Sequence, residues 1–144
     1  MEEQIRIIAW ENKLTTQMNI YYYQNRLKIN GIKCDVSIIV TIMVYILSFW
    51  VNDTVWLTFL GLIFSTRYHH IDSKFRSLYY QYKNLSMKTD IEWDNIDNAT
   101  EEKDVIIMQQ LLKQLCEMEE QLDPKTDKKL LIKCQNRVER ENYV

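Results

Sequence analysis

Few residues in this chain have the type and spacing to do chemistry. The adjacent pair His69-His70 is the first to weigh as a metal site. Neighbouring helical positions point about 100° apart, so two adjacent imidazoles do not converge on one ion. No H-x-x-x-H, E-x-x-H or cysteine partner stands in register. No Arg lies four to six residues before either His, which removes the usual spacing of a metal-independent RNase. The acids Asp90, Glu92, Asp94 and Asp97 fall in a polar connector and read as a solvated hinge rather than a catalytic carboxylate pair. Cys34, Cys116 and Cys134 are odd in number and far apart, forming neither a C-x-x-C pair nor a disulfide framework. The expectation is no catalytic residue, no metal and no cofactor: a protein that is not an enzyme.

Two other sets of side chains remain. Tyr21-Tyr22-Tyr23 with Arg26, and Tyr79-Tyr80 with Tyr82, combine aromatic faces with cations. Such groups can stack on a nucleotide, so Tyr22, Arg26, Tyr79 and Tyr82 are candidate ligand-binding residues. Helix packing explains the same residues. The second set is two small or hydroxyl-bearing stripes. Ser37, Thr41, Tyr45, Ser48 and Asn52 step by 4, 4, 3 and 4. Thr54, Thr58, Gly61 and Ser65 share a helical face that continues through His69 and Asp72. Such stripes either pack helix on helix or line a hydrated path in an oligomer. The second stripe is the expected pore lining, because only it reaches titratable residues at one end.

The elements that position these residues follow from composition. The chain of 144 residues has two Gly and one Pro, too few for a Gly-rich phosphate loop or a turn-rich β fold. Net charge is −2, and nothing points to nucleic acid. Mean hydropathy is only −0.34, yet Val36 to Thr66 carries a single charge, Asp53. One span across that block would put Asn52-Asp53-Thr54 at mid-membrane, where a lone Asp costs on the order of 3 kcal/mol. Two spans put the triplet at the far interface, flanked by Trp50 and Trp56, with Tyr68 at the other end. Arg26, Lys28 and Lys33 precede the block, Arg67, Lys74, Arg76, Lys83 and Lys88 follow it, and the turn has no Lys or Arg. The positive-inside rule then places both termini in the cytoplasm. The opening MEEQIRIIAWENK lacks the make-up of a signal peptide.

The remaining pattern predicts helices throughout. Ile7, Trp10, Leu14, Met18, Tyr21 and Asn25 give an amphipathic first helix, ended by Asn30-Gly31. Ile71, Phe75, Leu78, Tyr82 and Leu85 step by 4, 3, 4 and 3, so one helix can run from Thr54 to about Met87. Thr89 to Asp104 reads as a connector. Met108, Leu111, Leu115, Met118 and Leu122 mark another helix. Asp123 then caps a last one with Pro124 at its first position, and this helix frays after Val138. The expected fold is all-α and oligomeric. Residues 1–30 form an N-terminal cytosolic amphipathic helix, 31–71 a two-span transmembrane hairpin, and 72–144 a cytosolic helical region.

The Tyr-rich stretch NIYYYQNRLKIN, two closely spaced apolar spans, the helix YHHIDSKFRSLYYQYKNL and a helical tail together resemble the SLATT proteins. These are two-transmembrane effectors associated with SMODS nucleotidyltransferases and SLOG domains in bacterial antiphage systems. The resemblance covers roughly residues 5 to 120 and rests on architecture, with no invariant motif. It implies a multi-pass inner-membrane effector that permeabilises the membrane on a nucleotide signal or through a nucleotidyltransferase-linked partner. The alternative is a membrane-anchored adaptor or scaffold that binds a partner protein through its cytosolic helices.

Overall fold

The computed structural model describes residues 2–48, 55–96, 102–122 and 126–142, and all of these are helical or short connections. Four helices follow in order: α1 Glu2–Ser48, α2 Val55–Asp94, α3 Glu102–Leu122 and α4 Lys128–Asn142. They divide into two compact units. Unit 1 comprises residues 1–24 and 77–144, and unit 2 comprises residues 25–76.

α1 does not end at Asn30-Gly31. Gly31 keeps a right-handed conformation, since no glycine has a positive φ. A Gly inside a helix costs roughly 1 kcal/mol against Ala, and the apolar run behind it carries the helix through. Asn30 has another task. It is buried, and its side-chain amide donates to the Tyr68 carbonyl at 3.1 Å.

α2 is unbroken, as the Ile71-to-Leu85 pattern predicts, and runs on to Asp94 into the expected connector. Tertiary contacts explain the extension. Thr89 is buried and meets Thr16 at 3.3 Å between hydroxyls, and Trp93 packs on Trp10 at 4.8 Å between ring centroids.

The core of unit 1 is centred on tyrosines. Tyr22, Tyr23 and Tyr82 are fully buried. Tyr23 stacks on Tyr82 at 5.8 Å and 14°, and Tyr22 meets Tyr23 edge-on at 5.1 Å. Leu78 and Leu85 of α2, Val105, Met108, Leu112 and Leu115 of α3, and Cys134 and Val138 of α4 complete it.

Two predicted faces are rotated. α1 buries Ala9, Asn12, Thr16, Asn19, Tyr22 and Tyr23, while Ile7 is 52% exposed. α3 turns Leu112 inward and leaves Leu111 39% exposed.

Asp123 and Pro124 lie outside the described residues. Asp127 caps α4, accepting from the backbone N–H of Lys129 and of Leu130, each at 3.1 Å. The end of α4 is held rather than frayed. Arg137 lies 4.0 Å over the Tyr21 ring, Tyr21 donates to Glu141 at 2.7 Å, and Asn142 donates to Gln17 at 3.1 Å.

Candidate functional site

Unit 2 holds most of the residues singled out from sequence. Asn30 pairs with Tyr68 and Thr41 with Gly61, so α1 and α2 run antiparallel here. The half-buried face of α1 is Cys34, Ser37, Thr41 and Val44, and that of α2 is Thr58, Gly61, Ser65, Tyr68 and Asp72. The two small stripes therefore face each other. Contact is tightest at Gly61, where an added methyl would sit 2.7 Å from Thr41 Oγ1 and 3.2 Å from Thr41 Cβ. Thr41 Oγ1 donates to the Ser37 carbonyl at 2.8 Å, which satisfies the hydroxyl within its own helix.

Two members of the expected stripes point elsewhere. Tyr45 is 56% exposed, and Val44 takes its place at the contact. His69 is exposed, and the half-buried face continues through Tyr68 instead. The physical reason is helical drift: strict four-residue steps precess around a helix of 3.6 residues per turn. Asp72 accepts from Arg76 at 3.0 Å, one turn on. The side chain of Ser48, and all of Asn52 to Thr54, lie outside the described residues.

The outer surface of these arms is apolar and uncovered. Ile38, Ile39, Val40, Ile42, Met43, Ile46 and Leu47 on α1 are each more than 40% exposed, as are Phe59, Leu60, Leu62, Ile63 and Phe64 on α2. By length and composition one helix, spanning Glu3–Leu47, is apolar enough to cross a membrane; its most apolar window has mean hydropathy 1.7 and is 6% buried. Between the arms runs an open groove of about 360 Å³. Its walls include Lys33, Val36 and Val40 of α1, and Gly61, Phe64 and Tyr68 of α2.

The proposed nucleotide-stacking residues are placed differently from expectation. Tyr22 and Tyr82 present no ring face to a ligand. The Tyr22 hydroxyl accepts from the backbone N–H of Asp127 at 2.9 Å, and the Tyr82 hydroxyl donates to Glu119 and lies 3.6 Å from Cys116 Sγ. Burial pushes the Tyr82 phenol far above its ordinary range, with the Glu119 contact adding to the shift. Burial also raises the Cys116 thiol. Both shifts disfavour the thiolate and the phenolate, the nucleophilic forms of these groups. Arg26 sits with its guanidinium 4.6 Å over the Phe75 ring, a packing role. Tyr79 is half-buried and meets Tyr80 edge-on at 5.5 Å.

Unit 1 carries its own groove, of about 390 Å³, between α2 and α3. It is lined by Gln81, Asn84 and Lys88 of α2 and Leu111, Gln114 and Met118 of α3, among others. Among the described residues, no group of three or more His, Cys, Asp or Glu is placed to hold a metal ion.

No protein-family model, curated protein or solved structure matches this chain.

The sites that sequence reasoning missed are polar contacts between distant segments. Gln17, Asp127, Arg137 and Glu141 carry no motif, and only the Asp at a helix start was legible as a type of cap.

Proposed function

We propose that this chain is an inner-membrane protein whose unit 2 crosses the bilayer twice, and that it acts as an oligomeric effector perturbing that membrane. The observation that carries the membrane reading is the outer surface of the paired arms. A dozen large apolar side chains stand exposed in two helices whose backbone groups are satisfied internally, the form that lipid demands. In water, burying each such side chain would gain about 1.5–3 kcal/mol, so leaving them bare is costly outside a bilayer. Residues 25–48 make roughly 36 Å of helix, against a hydrocarbon core of ~30 Å.

Assembly runs through the cytosolic helices under this proposal. Exposed Ile107 and Leu111 on α3, and Tyr80, Met87 and Ile91 on α2, supply apolar contact. The trigger is a nucleotide signal or a nucleotidyltransferase-linked partner, as the SLATT resemblance implies. The burial of Tyr22 and Tyr82 directs the search for that signal away from the tyrosine core. Both termini are cytoplasmic, and Asn52 to Thr54 faces outside.

One observation favours a second reading, the membrane-anchored adaptor. The stripes that would line a pore are packed on each other at Thr41 and Gly61. Release of dye from liposomes carrying the purified chain separates the two. An effector releases dye in proportion to protein density, and an anchored adaptor leaves the liposomes sealed. Recovery of the protein in the supernatant after alkaline extraction of membranes would refute both.

A further inference from the structure

The groove between the arms changes chemistry along its length. At one end stand Lys33 and Tyr68, and further along it are the apolar walls of Val36, Val40 and Phe64. Gly61 lines the far end, where Thr41 packs close against it. Of the serine and threonine hydroxyls on the lining, Ser37 and Thr41, Thr41 Oγ1 is already bonded to the Ser37 carbonyl of its own helix. A matching ligand carries its charge at one end and is mostly apolar for the rest.

The polar end has a sign. Residues 25–48 and 55–76 contain six cations, Arg26, Lys28, Lys33, Arg67, Lys74 and Arg76, and two carboxylates, Asp35 and Asp72. Asp72 is held by Arg76. Asp35 is two residues from Lys33, and positions i and i+2 of a helix do not face each other. Lys33 is exposed and makes no ion pair among the described residues, so its charge at the groove mouth is available to an external anion.

The dimensions agree. From Lys33 to Thr41 the helix rises roughly 12 Å, against ~15 Å for one leaflet of the hydrocarbon core. A volume of about 360 Å³ lies within the ~300–1,000 Å³ of small-ligand sites.

We propose that this groove binds an anionic phospholipid, with the phosphate at Lys33 and one acyl chain along Val36, Val40 and Phe64. The proposal rests on the membrane reading given above. A second copy of the chain is the competing occupant. Its nearest carboxylate to Lys33 in depth is Asp35, and the dimer outcome of the test below distinguishes it from lipid.

The test is native mass spectrometry of the full chain purified in a non-ionic detergent. The probes are phosphatidylglycerol and phosphatidylcholine with the same two acyl chains. The expected result is retention of phosphatidylglycerol over phosphatidylcholine by about five-fold, the contribution of one lysine near an anionic surface. Lys33→Gln removes that preference, whereas Lys28→Gln, outside the groove, preserves it. Val40→Trp fills the groove and removes both adducts. Equal retention of the two lipids by the native chain, a preference that survives Lys33→Gln, or adducts that survive Val40→Trp would each overturn the site. So would lipid-free dimers that Val40→Trp dissolves, which would assign the groove to a second copy. Alkaline extraction of the same variants separates the two levels of failure. Protein in the supernatant overturns the membrane reading along with the lipid site, while membrane-retained protein without the preference overturns the lipid site alone.

Discussion

Replacing Gly61 by Ala should loosen the paired arms, and the contact geometry sets the size of the effect. The new methyl would meet Thr41 Oγ1 at 2.7 Å, Cγ2 at 2.8 Å and Cβ at 3.2 Å. Rotation about χ1 of Thr41 can move the first two atoms, at the cost of the 2.8 Å bond to the Ser37 carbonyl. It cannot move Cβ. The helices must then separate by a few tenths of an ångström, or accept overpacking of about 1–3 kcal/mol. Thr41→Ala removes the two closest atoms, so Gly61→Ala combined with Thr41→Ala should be less destabilised than the sum of the single changes, with a coupling of ~1–2 kcal/mol. Cys34 reports on the contact, because it is half-buried on the same face as Ser37 and Thr41. In a Cys116→Ala, Cys134→Ala background, its labelling by a thiol reagent in detergent tracks opening of the pair. Gly61→Ala should speed labelling by roughly 5- to 150-fold, the range that corresponds to ~1–3 kcal/mol. An unchanged rate, or simple additivity in the double variant, would refute the close approach of the two stripes.

Other outcomes follow from unit 1. Leu115→Asp should unfold the unit, because Leu115 is buried and an unpaired charge there costs several kcal/mol. Leu111→Asp should leave the melting temperature nearly unchanged and reduce cross-linked oligomers, since Leu111 is 39% exposed. Asp127→Ala should destabilise α4 by ~1 kcal/mol through loss of its cap, read as faster amide exchange across Lys128–Asn142. Acid should also release α4. Hydrogen bonds from Arg137, and then from Tyr21, hold the Glu141 carboxyl below its ordinary value of 4.5. A lowered folded-state pKa stabilises fully above the unfolded value and ceases to do so as pH falls through the folded one. Protection of the α4 amides, taken against their intrinsic exchange rates, should therefore fall below about pH 4.5, and Glu141→Gln should flatten that dependence; a native-like pH profile in the variant would contradict it.

How far the sequence could be read depends on what each helix buries. α2 was legible because Phe75, Leu78, Tyr82 and Leu85 are apolar, evenly stepped and all turned inward. The first part of α1 was not, because its buried stripe includes Asn12, Thr16 and Asn19. Thr16 satisfies itself on the Asn12 and Lys13 carbonyls and then meets Thr89, so its polarity is neutralised by partners that no hydropathy pattern reveals. Ile7, the more apolar neighbour, was the natural but mistaken choice. Gly31 misled for a related reason: a helix-ending residue is overruled when a long apolar run follows it in the chain. The arms of unit 2 were visible as apolar blocks, and their small residues as stripes. That the two stripes meet at Thr41 and Gly61 depends on register, which neither stripe encodes alone. Tyr22 and Tyr82 read as rings free to stack on a ligand because the internal partners of their hydroxyls lie 105 and 37 positions away, beyond any local pattern.

The same sequence separations bear on the order in which the two units can form. Unit 2 is closed by contacts such as Asn30 to Tyr68, 38 residues apart, within a continuous stretch of chain. Unit 1 joins residues 1–24 to segments that emerge much later, with Gln17 bonded to Asn142 across 125 residues. At ~5–20 residues per second, synthesis of Ser77 to Asn142 takes roughly 3–13 s. Throughout that interval the apolar arms are complete, while the helical segment before them still lacks α4. Under the membrane reading proposed above, a nascent chain in this state is ready for co-translational insertion, and α4 is the latch that closes unit 1 last.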